Sequence, residues 1–299
     1  ATAVRWERIL RQLGHDVLVD VTWDGQPADM MVALHAWRSA DSIAAYHERF
    51  PQRLLIVALT GTDLYRFMLS HTDTTLYSLD VAHHLVALHD LAYKAIPERY
   101  RHKLSIIKQS AVPLSQRLQP RKRTFDVCVA GHLREEKDSL RAAYAARGLP
   151  DGSDIRILHY GKAHNEEWAN MARHEMRINP RYHWYGELQH WQVRRAYARC
   201  RAMVLSSRME GGANVISEAV MADLPVLASA IDGSIGLLGE DYAGYYPVED
   251  TQALAALMRK AETEPAFLPS LLQQAEPLKK DFTEEAEFEG WKQLLHKLV

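Results

Sequence analysis

Short apolar runs alternate with amphipathic stretches along the whole chain. Strand-like runs are expected at 16–21, 30–34, 54–59, 85–88 and 104–107, then at 125–131, 155–160, 182–185, 202–205 and 225–228, with a weaker one at 244–248. The segments between them read as helices or loops. This alternation predicts parallel sheets with helices on both faces. The pattern breaks at Ala111-Val112-Pro113, passes through a polar stretch to Pro120, and restarts at Phe125. Two doubly wound domains are therefore expected, over 1–118 and 119–281, joined near 113–120. A closing helical segment, 282–299, carries Phe288, Trp291, Leu294, Leu295 and Leu298 on its apolar side and is expected to pack back toward the N-terminal domain. The chain opens on an amphipathic helix (Val4, Trp6, Ile9, Leu10, Leu13) ended by Gly14. Because a doubly wound domain usually opens on a strand, a first strand and its loop are expected ahead of Ala1.

Composition narrows the function classes. The 299 residues suffice for two domains of ordinary size, and the hydrophobic (47%) and charged (25%) fractions are those of a globular protein. A net charge of -2 makes no electrostatic case for nucleic acid or an anionic membrane as partner. The basic run Arg121–Arg123 reads as a solvated face beside the linker. No apolar run approaches the ~20 residues that span a bilayer. The two cysteines, Cys128 and Cys200, have no metal-type spacing and read as buried packing residues, which fits a cytoplasmic protein. Neither HExxH nor Cys/His ligand spacing occurs among the fifteen histidines, so no metal and no cofactor are expected.

The most informative stretch is Ser206-Ser207-Arg208-Met209-Glu210-Gly211-Gly212-Ala213-Asn214-Val215-Ile216-Ser217-Glu218-Ala219. An apolar strand runs into a glycine-bearing loop, and the loop opens a helix. The first turn of a helix leaves amides without partners and favours anions. Gly211 and Gly212 let the backbone approach a bulky ligand. With the helix starting near Asn214, Glu218 lies one turn in, on the face of those amides, where its carboxylate suits a vicinal diol. Glu210 remains in the loop. Phosphate in the middle and hydroxyls at both ends describe a nucleotide-sugar. The plainer reading is an ordinary strand–turn–helix crossover with two solvated glutamates.

These segments resemble the family-4 glycosyltransferases. The resemblance implies a GT-B architecture: two doubly wound (Rossmann-like) α/β domains facing a central cleft. It rests on Glu210 and Glu218 with seven residues between, on Ala219 to Val226, and on His183-Trp184-Tyr185-Gly186-Glu187-Leu188. It implies that Glu218 holds the ribose hydroxyls, that Glu210 faces the donor sugar, and that amides around Ala213, Asn214 and Val215 hold the diphosphate. Gly186 joins the donor side. Gly131-His132-Leu133-Arg134-Glu135-Glu136-Lys137-Asp138 resembles the family's Gly-Arg-Leu…Glu-Lys-Gly segment, in which an arginine and a lysine neutralise the leaving diphosphate. Lys137 matches the lysine. His132 stands at the arginine position and Asp138 at the glycine, which leaves Arg134 as the substitute cation.

In the first half, Asp29 to His35 resembles the family's strand ending in a cleft histidine. His35, Arg38, Thr60, Gly61, Thr62, Asp63 and Arg66 lie at or just after strand ends and form the expected acceptor side. Thr62 and Asp63 also read as caps of the following helix, and Arg38 and Arg66 as surface arginines. Lys137, Arg134, Glu210 and Thr62 are the expected catalytic set. The combination of GTDLYR, GHLREEKD and SRMEGGANVISEA is similar to the selenosugar synthase branch of the family. That similarity implies a UDP-sugar donor (UDP-N-acetylglucosamine or UDP-glucose), selenophosphate as acceptor, and a 1-seleno-sugar, UDP and phosphate as products. An ordinary hydroxyl acceptor, a GT-B-fold epimerase and a non-catalytic nucleotide-sugar-binding module are the alternatives.

Overall fold

The computed structural model describes residues 2–298; Ala1 and Val299, which bound the segments 1–118 and 282–299, lie outside them. The chain divides into two compact units. The first comprises Ala1–Ser110, Glu210–Gly212 and Asp281–Val299; the second comprises Ala111–Met209 and Ala213–Lys280.

In the first unit α1 (Thr2–Gln12), β1 (Met30–Leu34), α2 (Ala40–Arg49), β2 (Leu54–Ala58), α3 (Met68–Ser70), α4 (Thr72–Val81), β3 (His84–Ala87) and β4 (Leu104–Ile106) follow in order. The four strands form a parallel sheet in the order β1-β2-β3-β4. β2 is a continuous apolar run because both its faces are covered. Leu55 and Val57 face one core with Ile43, Tyr46 and Leu79. Ile56 and Ala58, pointing the other way, join a second core with Trp6, Ile9 and Leu10 of α1 and with Trp291, Leu294 and Leu295 of the terminal helix Glu284–Leu298. Trp6 and Trp291 meet edge to face at 4.7 Å.

The strand expected at 16–21 does not form. Among the described residues its valines pair with no strand, and Val17 packs instead against the core beneath α1. Leu18 is 68% and Val21 99% exposed, and the run is tethered instead by the Arg11 guanidinium donating to the Val17 carbonyl. The other expected strands are present: 30–34, 155–160 and 202–205 have the expected ends, and the rest are shifted by one or two residues; the weakest is only Tyr245–Tyr246.

The second unit holds β5 (Phe125–Ala130), α5 (Arg141–Arg147), β6 (Ile155–Tyr160), α6 (Glu166–Ile178), β7 (Tyr182–Trp184), α7 (His190–Tyr197), β8 (Ala202–Leu205), α8 (Asn214–Val220), β9 (Val226–Ser229), α9 (Asp232–Leu238), β10 (Tyr245–Tyr246), α10 (Thr251–Thr263) and α11 (Phe267–Ala275). All its strands are parallel, in the order β10-β9-β8-β5-β6-β7. The order reverses between β5 and β8. Their pairing ends at Cys128–Met203, short of both strand ends at Ala130 and Leu205, so the two carboxyl ends diverge. A crevice at such a reversal is where doubly wound sheets bind ligands. Both cysteines are buried here, and burial raises the Cys128 thiol, as suits packing residues. Residues 111–118 are stitched to this unit. The Leu118 amide donates to the Ala198 carbonyl, and the Arg117 guanidinium reaches the carbonyls of Tyr197 and Cys200.

Candidate active site

The loops leaving β5 and β8 carry the donor-side candidates of the second unit. After β5 the chain passes Gly131 and the exposed His132, then Leu133, and turns through a short 3₁₀ segment, Glu135–Lys137. Asp138 follows at φ 44°. This left-handed conformation explains why a glycine serves there in the resembling family; aspartate is among the few residues that tolerate it. The Asp138 carboxylate is held by Arg141 at 2.7 and 3.3 Å. Ser206, at the end of β8, places its hydroxyl 3.1 and 2.9 Å from the carbonyls of Lys137 and Asp138, and the Arg208 amide donates to the Glu136 carbonyl. The two loops are thus pinned together. The Lys137 side chain runs past Gly131: a Cβ added there would meet Lys137 Cδ at 4.0 Å.

The expected cations differ in setting. Lys137 is half-buried in the crevice loop. His132, at the arginine position, accepts the Lys162 amide through Nδ1 at 3.1 Å, which fixes its ring. Arg134 is 40% exposed and lies 4.0 Å from the Glu136 carboxylate. Gly186 adopts φ 70° and its carbonyl accepts the Gly161 amide, which ties the turn after β7 to the turn after β6.

Beneath Gly131 lies a buried histidine that sequence reasoning passed over. His159 Nε2 is 3.0 Å from the Gly131 carbonyl, and Nδ1 is 2.8 Å from the Tyr182 hydroxyl. Burial pushes the His159 pKa down to about 4, so the ring is neutral at pH 7, donates through Nε2 and accepts at Nδ1. The folded pKa lies below the unfolded value of about 6.5. Stability is therefore fully present above about pH 6.5 and declines as pH falls from there toward 4, by up to about 3 kcal/mol. Urea unfolding at stepped pH should show this slope in the wild type. His159→Leu, less stable at pH 7, should show a flatter one.

The helix that opens beyond Gly212 begins at Asn214, and Ala213 before it supplies no side-chain cap. Glu218, one turn in, has a carboxylate that is 12% exposed. It accepts from Asn214 Nδ2 at 2.7 Å and from the Tyr197 hydroxyl at 3.3 Å, and His190 Nε2 lies 3.4 Å away. Burial and the neighbouring Glu218 charge raise the Tyr197 pKa, so the phenol keeps its proton and donates it. Tyr197 and His190 escaped the sequence reading. The available signal was their spacing of seven on α7, two turns apart on one face and adjacent to the Glu218 strand–helix unit.

The acceptor-side candidates form one hydrogen-bonded cluster in the first unit. β1 leads into His35, whose backbone takes φ 90°, and β2 leads into Thr60. The fully buried Asp63 opens a π-helical turn, Asp63–Phe67. Its Oδ2 accepts the Thr60 amide (2.8 Å) and hydroxyl (2.9 Å), and its Oδ1 accepts the Trp37 amide (3.1 Å) and faces His35 Nδ1 at 2.5 Å. His35 Nε2 lies 2.9 Å from the Thr62 hydroxyl. Thr62 makes no capping bond to the turn that follows, and Asp63 reaches back to Thr60 rather than forward. Arg38 and Arg66 are exposed. Gly61 and Gly211 lie backbone to backbone: a Cβ at Gly61 would come 2.5 Å from the Gly211 amide nitrogen. Only glycine fits at that approach, which sets the Glu210–Gly212 segment beside the Thr60–Thr62 turn. Glu210 itself is 9% exposed.

Among the described residues, no group of three or more His, Cys, Asp or Glu is arranged to hold a metal ion, and no helix is long and apolar enough to cross a membrane. A family model described as "Glycosyl transferases group 1" matches residues 113–286. The chain belongs to this family. As a group 1 glycosyltransferase it shares its fold with solved GT-B enzymes at low sequence identity. HepE of Anabaena, solved with UDP and glucose, is 13% identical over 90% of this chain and 78% of its own, with a TM-score of 0.73. Sucrose-phosphate synthase of Thermosynechococcus elongatus is 17% identical over 90% and 73%, at 0.74. The pneumococcal O-GlcNAc transferase GtfA, solved with UDP and GlcNAc, is 17% identical over 85% of this chain and 54% of its own, at 0.67. No curated protein matches the chain in sequence.

Proposed function

We propose that this glycosyltransferase moves a sugar from a UDP-sugar, UDP-N-acetylglucosamine or UDP-glucose, to a small-molecule acceptor. One observation carries the donor reading. Glu218, positioned by Asn214 and Tyr197, sits at the start of an uncapped helix at the reversal point of the second sheet. Its carboxylate accepts from the two ribose hydroxyls, the amides of Asn214 and Val215 meet the diphosphate, and Lys137 counters the charge that grows on the leaving group. Glu210 addresses the sugar. The bound UDP in HepE and GtfA supports uracil as the base of the donor nucleotide. The charge on the leaving diphosphate is met by protein groups, so we assign no metal and no cofactor to the step.

The test is calorimetry with UDP. Glu218→Ala costs at least one charge-assisted hydrogen bond to the ribose, taken here as a net loss of roughly 1.5–3 kcal/mol. UDP affinity should therefore fall about 10- to 150-fold. Unchanged affinity would remove Glu218 from the site.

For the acceptor, the similarity of the Thr60, Gly131 and Ser206 segments to the selenosugar synthase branch puts selenophosphate first. The exposed Arg38 and Arg66 are the groups that would bind such an anion. A specific observation favours a second reading, a hydroxyl acceptor: the chain Asp63–His35–Thr62 ends on a hydroxyl backed by a base. UDP release from UDP-N-acetylglucosamine, followed with selenophosphate, with glycerol and with no acceptor, separates the two. A selenium-containing sugar in the mass spectrum establishes the first. Epimerised donor without UDP release would replace both.

A further inference from the structure

We propose that the buried His159 is a positioning residue of the donor site, and that it aims the main-chain amide of His132 at the diphosphate. The inference rests on the donor reading above and names a further group for the same ligand. It starts from the main chain beyond β5. Gly131 still follows the parallel ladder, its amide donating to the Tyr160 carbonyl at 2.9 Å. A regular ladder would next give the Lys162 amide to the Gly131 carbonyl. That amide donates instead to His132 Nδ1 at 3.1 Å, and His159 Nε2, 3.0 Å from the Gly131 oxygen, takes its place. Gly161 presses on the same peptide group: a Cβ there would overlap the Gly131 carbonyl. The Gly131–His132 peptide is thus clamped from the β6 side.

The direction of the amide follows. Among the described residues every peptide bond is trans, so the His132 N–H points opposite to the Gly131 carbonyl. That carbonyl faces β6, and the amide therefore faces the β8 side of β5, where the strand order reverses. β8 does not take it, because β5–β8 pairing stops at Cys128 and Met203. The His132 carbonyl accepts the Ser139 hydroxyl at 2.9 Å, but among the described residues no group accepts the His132 amide. The Lys137 stem runs past Gly131. A main-chain donor and a cation at one peptide suit a phosphate oxygen. The identity of residue 159 matters for this geometry. It is fully buried and lies beside Val129 in the β5–β6 register. A leucine there would fill the space and leave the Gly131 carbonyl without a donor. A carbonyl only accepts, so His159 Nε2 carries the ring proton. Burial keeps the ring neutral, so Nδ1 accepts from the Tyr182 hydroxyl at 2.8 Å, and burial likewise keeps that phenol protonated. The hydrogen bonds run one way, from Tyr182 on β7 through His159 on β6 to the loop after β5.

His159 touches no substrate and acts through the peptide it holds. The test joins NMR of the whole chain to titrations with UDP and with uridine, which lacks phosphate. In the wild type the His159 ring should show Nε2 protonated and Nδ1 bare. Saturating UDP should move the His132 amide proton downfield, and uridine should leave it in place. His159→Leu frees the peptide to rotate. UDP affinity should then fall about 10-fold, the lower end for losing one hydrogen bond to a charged group, while uridine affinity is unchanged. His159→Gln places a donor at nearly the reach of Nε2 and should restore most of the UDP affinity. The reverse tautomer in the wild type overturns the proposal, as does bound UDP that leaves the His132 amide unmoved; both readings stand even where His159→Leu does not fold. Wild-type UDP affinity in His159→Leu overturns it as well. Equal losses for UDP and uridine do the same, because they make His159 a packing residue only. A wild type that binds no UDP refutes the donor reading itself, and this proposal falls with it.

Discussion

Lys137→Ala should lower kcat by about 10²- to 10³-fold, the range seen when a preorganised group facing a developing oxyanion is removed. UDP and UDP-sugar affinity should fall much less. The reason is the timing of charge. In the proposed donor complex the diphosphate is already anionic, and the amides at the start of α8 are the groups we assign to it there. When the C1–O bond breaks, one further negative charge appears on the β-phosphate, and Lys137 gains interaction energy only then. Its position favours this role: the loop carrying it is tied to β8 through Ser206 and Arg208, and its stem runs along Gly131, where no Cβ intervenes. The check is steady-state kinetics beside calorimetry with UDP. Equal losses in both would make Lys137 a ground-state binder. Lys137→Arg keeps the charge but spreads it over a planar fork, so partial recovery is expected. A mutant with wild-type turnover would falsify the leaving-group role.

The legible part of this molecule was what depends on local pattern. Buried parallel strands write themselves as apolar runs, and β5, β6 and β8 stand where the runs do. The helix start at Asn214 and the place of Glu218 one turn in followed from glycine punctuation and helical period. What stayed hidden required partners distant in sequence. The run 16–21 alternates like a strand, yet pairing is decided by a neighbour it lacks. The first-unit candidates were named, but the hydrogen bonds that join them were not. Asp63 and Thr62 read as a helix cap, a local device, whereas their bonds go to His35 and Thr60 across two strand ends. His159 looked like one histidine among fifteen; only the β5–β6 register, Val129 beside His159, brings it beneath the Gly131 loop. Tyr197 and His190 meet Glu218 because α7 and α8 flank the same strand end, a tertiary fact.

Glu287→Ala should destabilise the protein by roughly 3–5 kcal/mol, the usual result of removing one member of a buried, hydrogen-bonded charge pair. The Glu287 carboxylate is fully buried in the first unit. It accepts from Arg5 Nε at 3.1 Å, Trp6 Nε1 at 2.7 Å, the Ser110 amide at 2.9 Å and the Ser110 hydroxyl at 2.5 Å. Four donors saturate a carboxylate. Truncation leaves an indole N–H, an amide and a hydroxyl without their partner in a site that excludes water, beside the Trp6–Trp291 contact. Each unpaired group costs about 1–3 kcal/mol, and the Arg5 charge loses its counter-ion. Glu287→Gln keeps the volume but turns a donor toward groups that need an acceptor, so it should recover only part of the loss. The measurement is urea unfolding followed by tryptophan emission, in which Trp6 and Trp291 report on this packing directly. A loss below about 1 kcal/mol would mean that water enters and satisfies the freed donors. The contact of α1 with the terminal helix would then rest on its apolar stripe alone.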